Sequence, residues 1–185
     1  MAKLIYIANT SLDGYTEDRE GGIDWGTPDE EYFSSLNGLQ RQVGTYLYGR
    51  RMYEAMVYWE TASISEQPAW VADFTAMWRA AEKVVYSTTL GSTSSERTIL
   101  ARAFEADAVR TMKARETHDL TVGGADLAAQ AFGAGLVDEC HLYYWPLTLG
   151  GGKHALPRAA RVDMQLLAAQ HLRSGIVHLH YRVKE

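Results

Sequence analysis

Cysteine is nearly absent: Cys140 is the only one in 185 residues. An internal disulfide is therefore impossible, and a cysteine-built zinc site is excluded with it. Long apolar runs are also missing. Nowhere do about 18 consecutive apolar residues occur, which excludes a helical membrane span. Basic residues are too few and too scattered for a nucleic-acid stripe, and the net charge is -5. No repeat and no low-complexity linker divides the chain; Gly91-Ser92-Thr93-Ser94-Ser95 is a turn too short to join independent domains. There is no G-x-S-x-G, no P-loop and no H-x-E with P-C-x-x-C. The expectation is one domain over residues 1–185, in the cytoplasm, with no nucleic-acid or membrane partner.

What is present is an alternation of strand-like and helix-like segments. Leu4 to Asn9, Thr45 to Gly49, Lys83 to Ser87, Asp119 to Val122 and Glu139 to Trp145 read as strands. Between them, Tyr32, Phe33, Leu36 and Leu39 share one helical face. Thr27-Pro28-Asp29-Glu30 supplies the start of that helix, with Thr27 as N-cap and Glu30 as the capping-box acid. Arg51 to Met56 begins a further helix, and Trp70, Phe74, Met77 and Trp78 mark another that ends near Ala81. Ala108 to Arg115 and Leu127 to Phe132 complete the set. Met164 to Leu172 and Gly175 to Lys184 read as a closing pair of strands, with His178, His180, Arg182 and Lys184 on a solvated face. Strands separated by helices predict a mainly parallel sheet, with the final hairpin adding antiparallel strands at one edge. Ligands of such sheets bind outside the carboxyl ends of the strands.

Two segments there carry chemistry. Val122-Gly123-Gly124 runs from a strand into a helix, so backbone amides can approach an anion at the positive end of the helix dipole. An ordinary tight turn explains those residues equally well. Tyr48-Gly49-Arg50-Arg51 repeats the arrangement with two guanidinium groups, whose planar donors suit phosphate; pairing with Glu54 or Glu60 is the plain alternative. Glu30 is the candidate proton donor, although a helix-capping role accounts for its spacing. Asp13, Asp24 and Asp29 read as turn and cap residues. The six histidines show no metal spacing, because His178 and His180 lack an evident third ligand; no metal is expected.

Taken in order, these segments resemble the dihydrofolate-reductase-like superfamily, and most closely the C-terminal reductase domain of the riboflavin-biosynthesis deaminase/reductase and its stand-alone bacterial relatives. The resemblance rests on Ser11-Leu12-Asp13-Gly14, Ile23-Asp24-Trp25, Gly49-Arg50-Arg51-Met52-Tyr53-Glu54 and Val122-Gly123-Gly124-Ala125-Asp126-Leu127. Gly135-Leu136-Val137-Asp138-Glu139 and Pro146-Leu147-Thr148-Leu149-Gly150-Gly151-Gly152 complete it. It implies a three-layer α/β fold and NADPH as cofactor. It also implies a heterocyclic substrate such as 5-amino-6-(5-phosphoribosylamino)uracil, and allows a homodimer. By the same resemblance Arg50 and Arg51 lie near the 2′-phosphate and pyrophosphate, and Gly49 leads into them. Gly123, Gly124, Ala125 and Asp126 line the pyrophosphate turn. Ser87 and Thr88 meet the adenosine side, and Ala8, Asn9 and Gly14 the nicotinamide end. Glu30 falls where dihydrofolate reductases carry their substrate-binding acid, so a pterin-type reductase is the enzyme alternative. A cofactor-binding sensor without turnover is the alternative of another class. Lys153, His154 and Arg158 are candidates for a substrate phosphate. Met52 departs from the family's usual threonine and removes one hydroxyl from the phosphate site.

Overall fold

The computed structural model describes residues 1–184, and one eight-stranded sheet runs through it. Its first strand, β1 (Leu4–Ser11), lies near the centre. A short β2 (Tyr15–Glu17) follows, then α1 (Glu30–Gln40), β3 (Val43–Gly49), α2 (Arg50–Met56), α3 (Tyr58–Thr61) and α4 (Ala69–Ala80). Next come β4 (Glu82–Tyr86), β5 (Thr98–Ala101), α5 (Ala106–Arg115), β6 (Asp119–Gly123) and α6 (Ala125–Gly133). The chain ends with β7 (Glu139–Trp145), β8 (Lys153–His154), β9 (Met164–His171) and β10 (Val177–Val183). The large sheet is ordered β5-β4-β3-β6-β1-β7-β10-β9, while β2 and β8 form a separate ribbon. Pairings from β5 through β7 are parallel, and β10 is antiparallel to both β7 and β9. The mainly parallel sheet with a closing antiparallel hairpin, expected from the alternation of elements, is thus the observed architecture.

Helices cover both faces, because the central strands bury side chains on both. On one face Leu4, Tyr6, Leu47, Leu120, Val122 and Leu142 pack with Val109 of α5 and with Leu127, Ala128 and Ala131 of α6. On the other, Tyr46, Tyr48, Val85 and Tyr143 meet Tyr32, Phe33 and Leu36 of α1 and Phe74 and Trp78 of α4. Trp78 is fully buried; its indole N–H donates to the Tyr48 hydroxyl at 3.2 Å. Lys83, buried as well, donates its ammonium to the carbonyls of Trp78 and Ala81, and so satisfies the end of α4. Among the described residues no helix is long and apolar enough to cross a membrane.

Two expectations are corrected, and four short elements are added. Asp29, not Thr27, caps α1: its carboxylate accepts from the Tyr32 amide at 2.8 Å, and Glu30 is the first helical residue. Asp29 stands three residues before Tyr32, the spacing of an N-cap, whereas Thr27 stands five before it and lies outside the helix. The strands β2, β5 and β8 and the single turn α3 leave no sequence signal, since two to four residues cannot display a period. The face of β10 expected in solvent is only partly there: Arg182 and Lys184 are exposed, His180 is partly exposed and His178 is buried. His178 pairs in register with Tyr143, and His180 with His141, so the imidazoles lie against β7 and His178 is buried. Burial pushes His141 down to about 3 and His178 down to about 4, and both rings are neutral at physiological pH.

The contrast between centre and edge is testable. Leu47→Ala, at a fully buried position in β3, should cost about 2–5 kcal/mol in urea unfolding. Ile99→Ala, in the exposed edge strand β5, should cost under about 1 kcal/mol. Equal costs would contradict the packing described.

Candidate active site

The strands β1, β3, β4 and β6 all end at one edge of the sheet, and there the two glycine turns meet. Tyr48 is opposite Gly123 in the β3–β6 register, which sets Gly49 beside the Gly123-Gly124 turn. The glycines differ in what demands them. A methyl on Gly123 would come within 2.9 Å of the Tyr48 ring and 3.0 Å of Met52. Gly124 has φ +95, a conformation that disfavours any Cβ. Gly49 has φ -70, and a methyl there would make only ordinary contacts at 3.8 Å and beyond. Neither torsion nor protein packing requires glycine at position 49; its effect is to leave the start of α2 bare. Neither α2 nor α6 has a side-chain N-cap, so the first-turn amides of both helices open onto the same edge.

Cations stand around these turns. Arg50 donates to Glu54 and to the Thr89 hydroxyl, each at 2.7 Å. Arg51 reaches Glu17 of β2 at 3.3 Å, and Lys153 of β8 reaches Asp126 of α6 at 2.6 Å. The β2–β8 ribbon is therefore latched to both helix starts by ion pairs. These pairs are largely exposed, worth about 0–1 kcal/mol each, so an incoming anion can compete for the cations. Bare amides and guanidinium groups together fit a phosphate-bearing cofactor. The Arg50–Glu54 pair is the plain alternative raised by the sequence, and it leaves the guanidinium half exposed.

The Ser11-Leu12-Asp13-Gly14 turn and the Leu149–Gly152 segment hold the ribbon from the other side. Asp13 accepts the Ser11 hydroxyl at 2.6 Å and the amides of Leu149 and Gly150 at 3.0 and 2.7 Å. The Ser11 hydrogen bond, aided by those amides, holds its carboxyl down to about 2. Gly14 has φ +87 and its carbonyl accepts from the Ala155 amide at 2.9 Å. At Gly152, with φ +127, any Cβ would run into the Glu17 carbonyl, so only glycine lets β8 lie against β2.

Between these parts lies Asn9, near the end of β1. Its carbonyl accepts from the Tyr32 hydroxyl at 3.0 Å and from the Trp145 indole at 3.1 Å. Two donors on the oxygen fix the amide flip and leave the exposed side-chain nitrogen as a donor. Ala8 is half-buried beneath it. Ser87, at the end of β4, accepts the amides of Thr89 and Leu90 and so shapes its loop, while Thr88 is exposed there.

The structure thus brings Ala8, Asn9, Gly14, Gly49, Arg50, Arg51, Ser87, Thr88, Gly123, Gly124, Ala125 and Asp126 to one edge. Asp126 differs in role, turning its carboxylate outward onto Lys153. Glu30 is not brought into this group. Two residues make about 200° around a helix, so Glu30 faces away from Tyr32, which points at Asn9. It borders instead an outer depression with Ala69, Trp70, Ala72 and Asp73 of α4. His154 packs against Tyr15 with ring centres 4.5 Å apart and planes tilted by 36°, and Arg158 is exposed in the following loop. Tyr32, Trp145 and Glu17 were missed: the first two carry only the signal of core aromatics, and Glu17 carries none.

Comparison with known proteins agrees with this arrangement. The family model described as the RibD C-terminal domain matches residues 2–178, and the chain belongs to that family. Membership places it with reductase-type domains of the riboflavin pathway. It is 26% identical over 183 residues to the uncharacterized protein YyaP of Bacillus subtilis (strain 168), covering 97% of this chain and 94% of that one. A putative riboflavin biosynthesis protein from Shewanella sp. PV-4 superposes with a TM-score of 0.78 at 19% identity, over 100% of both chains. The Thermotoga maritima diaminohydroxyphosphoribosylaminopyrimidine deaminase/5-amino-6-(5-phosphoribosylamino)uracil reductase gives 0.69 at 12% identity. That match covers 99% of this chain and 57% of the other. At these identities the two structures bear on the fold, which is dihydrofolate-reductase-like.

Asp13 yields a prediction with a definite sign. Its folded pKa lies below the ordinary 3.8, so the tie to Leu149 and Gly150 is fully present above that pH. The tie is lost as pH falls through about 2. At pH 7, Asp13→Asn should speed hydrogen exchange at the Leu149 and Gly150 amides several-fold, without changing exchange in β6. Unchanged protection at both amides would contradict the anchoring role.

Proposed function

We propose that this protein is an NADPH-dependent reductase of a small heterocycle of the ribosylaminopyrimidine class. The observation that carries the reading is the adjacency of two uncapped helix starts, at Gly49 and Gly124, with Arg50 and Arg51 beside them. Amides from the first turns of α2 and α6 take the pyrophosphate, and the positive helix ends favour its charge. Arg51 exchanges Glu17 for phosphate, and Arg50 closes on the 2′-phosphate. NADPH, when bound, supplies the hydride; the protein's work is orientation.

Asn9 provides that orientation at the other end. Held by Tyr32 and Trp145, its side-chain nitrogen donates to a carbonyl, either of the nicotinamide carboxamide or of a pyrimidine ring. The β2–β8 ribbon covers the phosphates and keeps water from the edge. An amide at this place, with Glu30 turned away, favours a pyrimidine over a pterin that needs a carboxylate partner.

The test is a pair of titrations followed by tryptophan fluorescence, with Trp145 as the reporter next to Asn9. The wild type should bind NADPH more tightly than NADH. The Arg50→Ala/Arg51→Ala double variant should lose on the order of tenfold or more in NADPH affinity, and much less for NADH. Equal losses for the two would contradict the 2′-phosphate assignment. Absence of binding by either at millimolar concentration would overturn the reading.

A further inference from the structure

Away from the phosphate edge, the pairing of β7 with β10 assembles a cluster that the reductase reading does not use. Glu139 and His141 project from the same face of β7, two residues apart. His180 of β10 is the register partner of His141, and their rings stack at 3.9 Å. The carboxylate Oε2 of Glu139 accepts from His180 Nε2 at 3.0 Å and lies 4.0 Å from His141 Nε2. One ligand atom from each residue falls within 4.8 Å of the others. A tetrahedral zinc ion with bonds near 2.1 Å holds its ligands about 3.4 Å apart, between the two distances seen here.

We propose that Glu139, His141 and His180 form a site for a divalent transition-metal ion of the zinc class, which staples the C-terminal hairpin to the parallel sheet. The surrounding groups are those that ligands of such a site need. His141 Nδ1 lies 3.0 Å from His178 Nε2; with the proton on His141 Nδ1, the hydrogen bond leaves His141 Nε2 a lone pair aimed at the cluster. His178 is itself fixed by stacking on Tyr143 at 4.2 Å. Lys3 binds the other oxygen of Glu139 at 2.8 Å, which orients the carboxylate and leaves Oε2 for the ion. On binding, the Nε2 proton of His180 shifts to Nδ1, so the imidazole stays neutral while its lone pair turns to the metal. Glu139 and His141 are buried, whereas His180 is partly exposed; entry and a fourth, water-filled position lie on its side.

Two imidazoles select zinc, cobalt or nickel over calcium and magnesium, which prefer all-oxygen shells. Lys3, together with Arg182 opposite Glu139, adds positive charge nearby and makes the site depend on its nitrogen ligands. The nearest phosphate-edge residue on the same sheet face, Asn9, pairs with Tyr143 rather than with the cluster, so the ion acts on the hairpin and not on the reducing centre.

Cobalt(II) is the probe, because tetrahedral binding through two imidazoles gives visible absorption. Titration of the metal-free full chain with cobalt(II) should show one equivalent bound and a spectrum that zinc abolishes. Excess zinc, about a hundred times its Kd, should raise Tm by about 5 °C or more. His180→Gln, at the most exposed ligand, and Glu139→Gln should each weaken cobalt(II) binding by tenfold or more while circular dichroism stays native. His118→Gln and His171→Gln, outside the cluster, should not change it. Calcium should produce no shift. Binding that survives both ligand variants, or that disappears with His118→Gln or His171→Gln, would overturn the proposal. So would failure of the wild type to bind cobalt(II) at 1 mM, about the weakest affinity of interest.

Discussion

The hydrogen-bonded register of β3 and β6 is the constraint on which the functional edge depends. With Tyr48 opposite Gly123, the last residue of one strand lies beside the turn that ends the other. A side chain at Gly123 would push Tyr48 and Met52 apart, and a Cβ at Gly124 would meet an unfavourable torsion. Either change would separate the starts of α2 and α6. Their convergence joins two ordinary strand-to-helix turns at the edge proposed to take the phosphates, since each helix alone offers only a weak and screened field. Glycine at 49 adds openness where packing did not ask for it.

A second layer is built on that edge from weaker parts. Asp13 ties the turn after β1 to the glycine run, Gly152 lets β8 press against β2, and two exposed ion pairs fasten the ribbon to the helix starts. The backbone ties are firm and the ion pairs are not, because solvent and salt screen them. In the proposed reading such a cover stays in place while its charged contacts exchange with the cofactor. Asn9 is held differently, by the aromatic pair Tyr32 and Trp145 from α1 and β7, so this residue rests on the core rather than on the loops.

Much of this was legible in the sequence, for reasons that differ by segment. Residues 139–145 form the strand expected, and α4 ends where Trp78 and Ala81 suggested, because long periodic elements advertise their burial. The two glycine turns and their arginines were legible because glycine and arginine each carry a definite physical meaning, whereas their meeting at one edge depends on the β3–β6 register. Glu30 lies against α4 rather than beside Asn9, and spacing could not show this: it tells which residues share a helix face but not which face meets the sheet, which is decided by Tyr32, Phe33 and Leu36. The histidine cluster was hidden for a related reason. His178 and His180 alternate on one strand, but their partners Glu139 and His141 are some 40 positions away and meet them only through register. A period of two reveals a face, and tertiary pairing determines whether that face sees water.

The most direct measurement of the central claim is a crystal structure of the protein with NADP+ bound. The account predicts the pyrophosphate against the amides of Gly124–Asp126 and Arg50–Arg51, the 2′-phosphate within hydrogen-bonding distance of an arginine of that pair, and the nicotinamide next to Asn9. A cofactor whose phosphates lie elsewhere on the chain, with both glycine turns left in solvent, would contradict it.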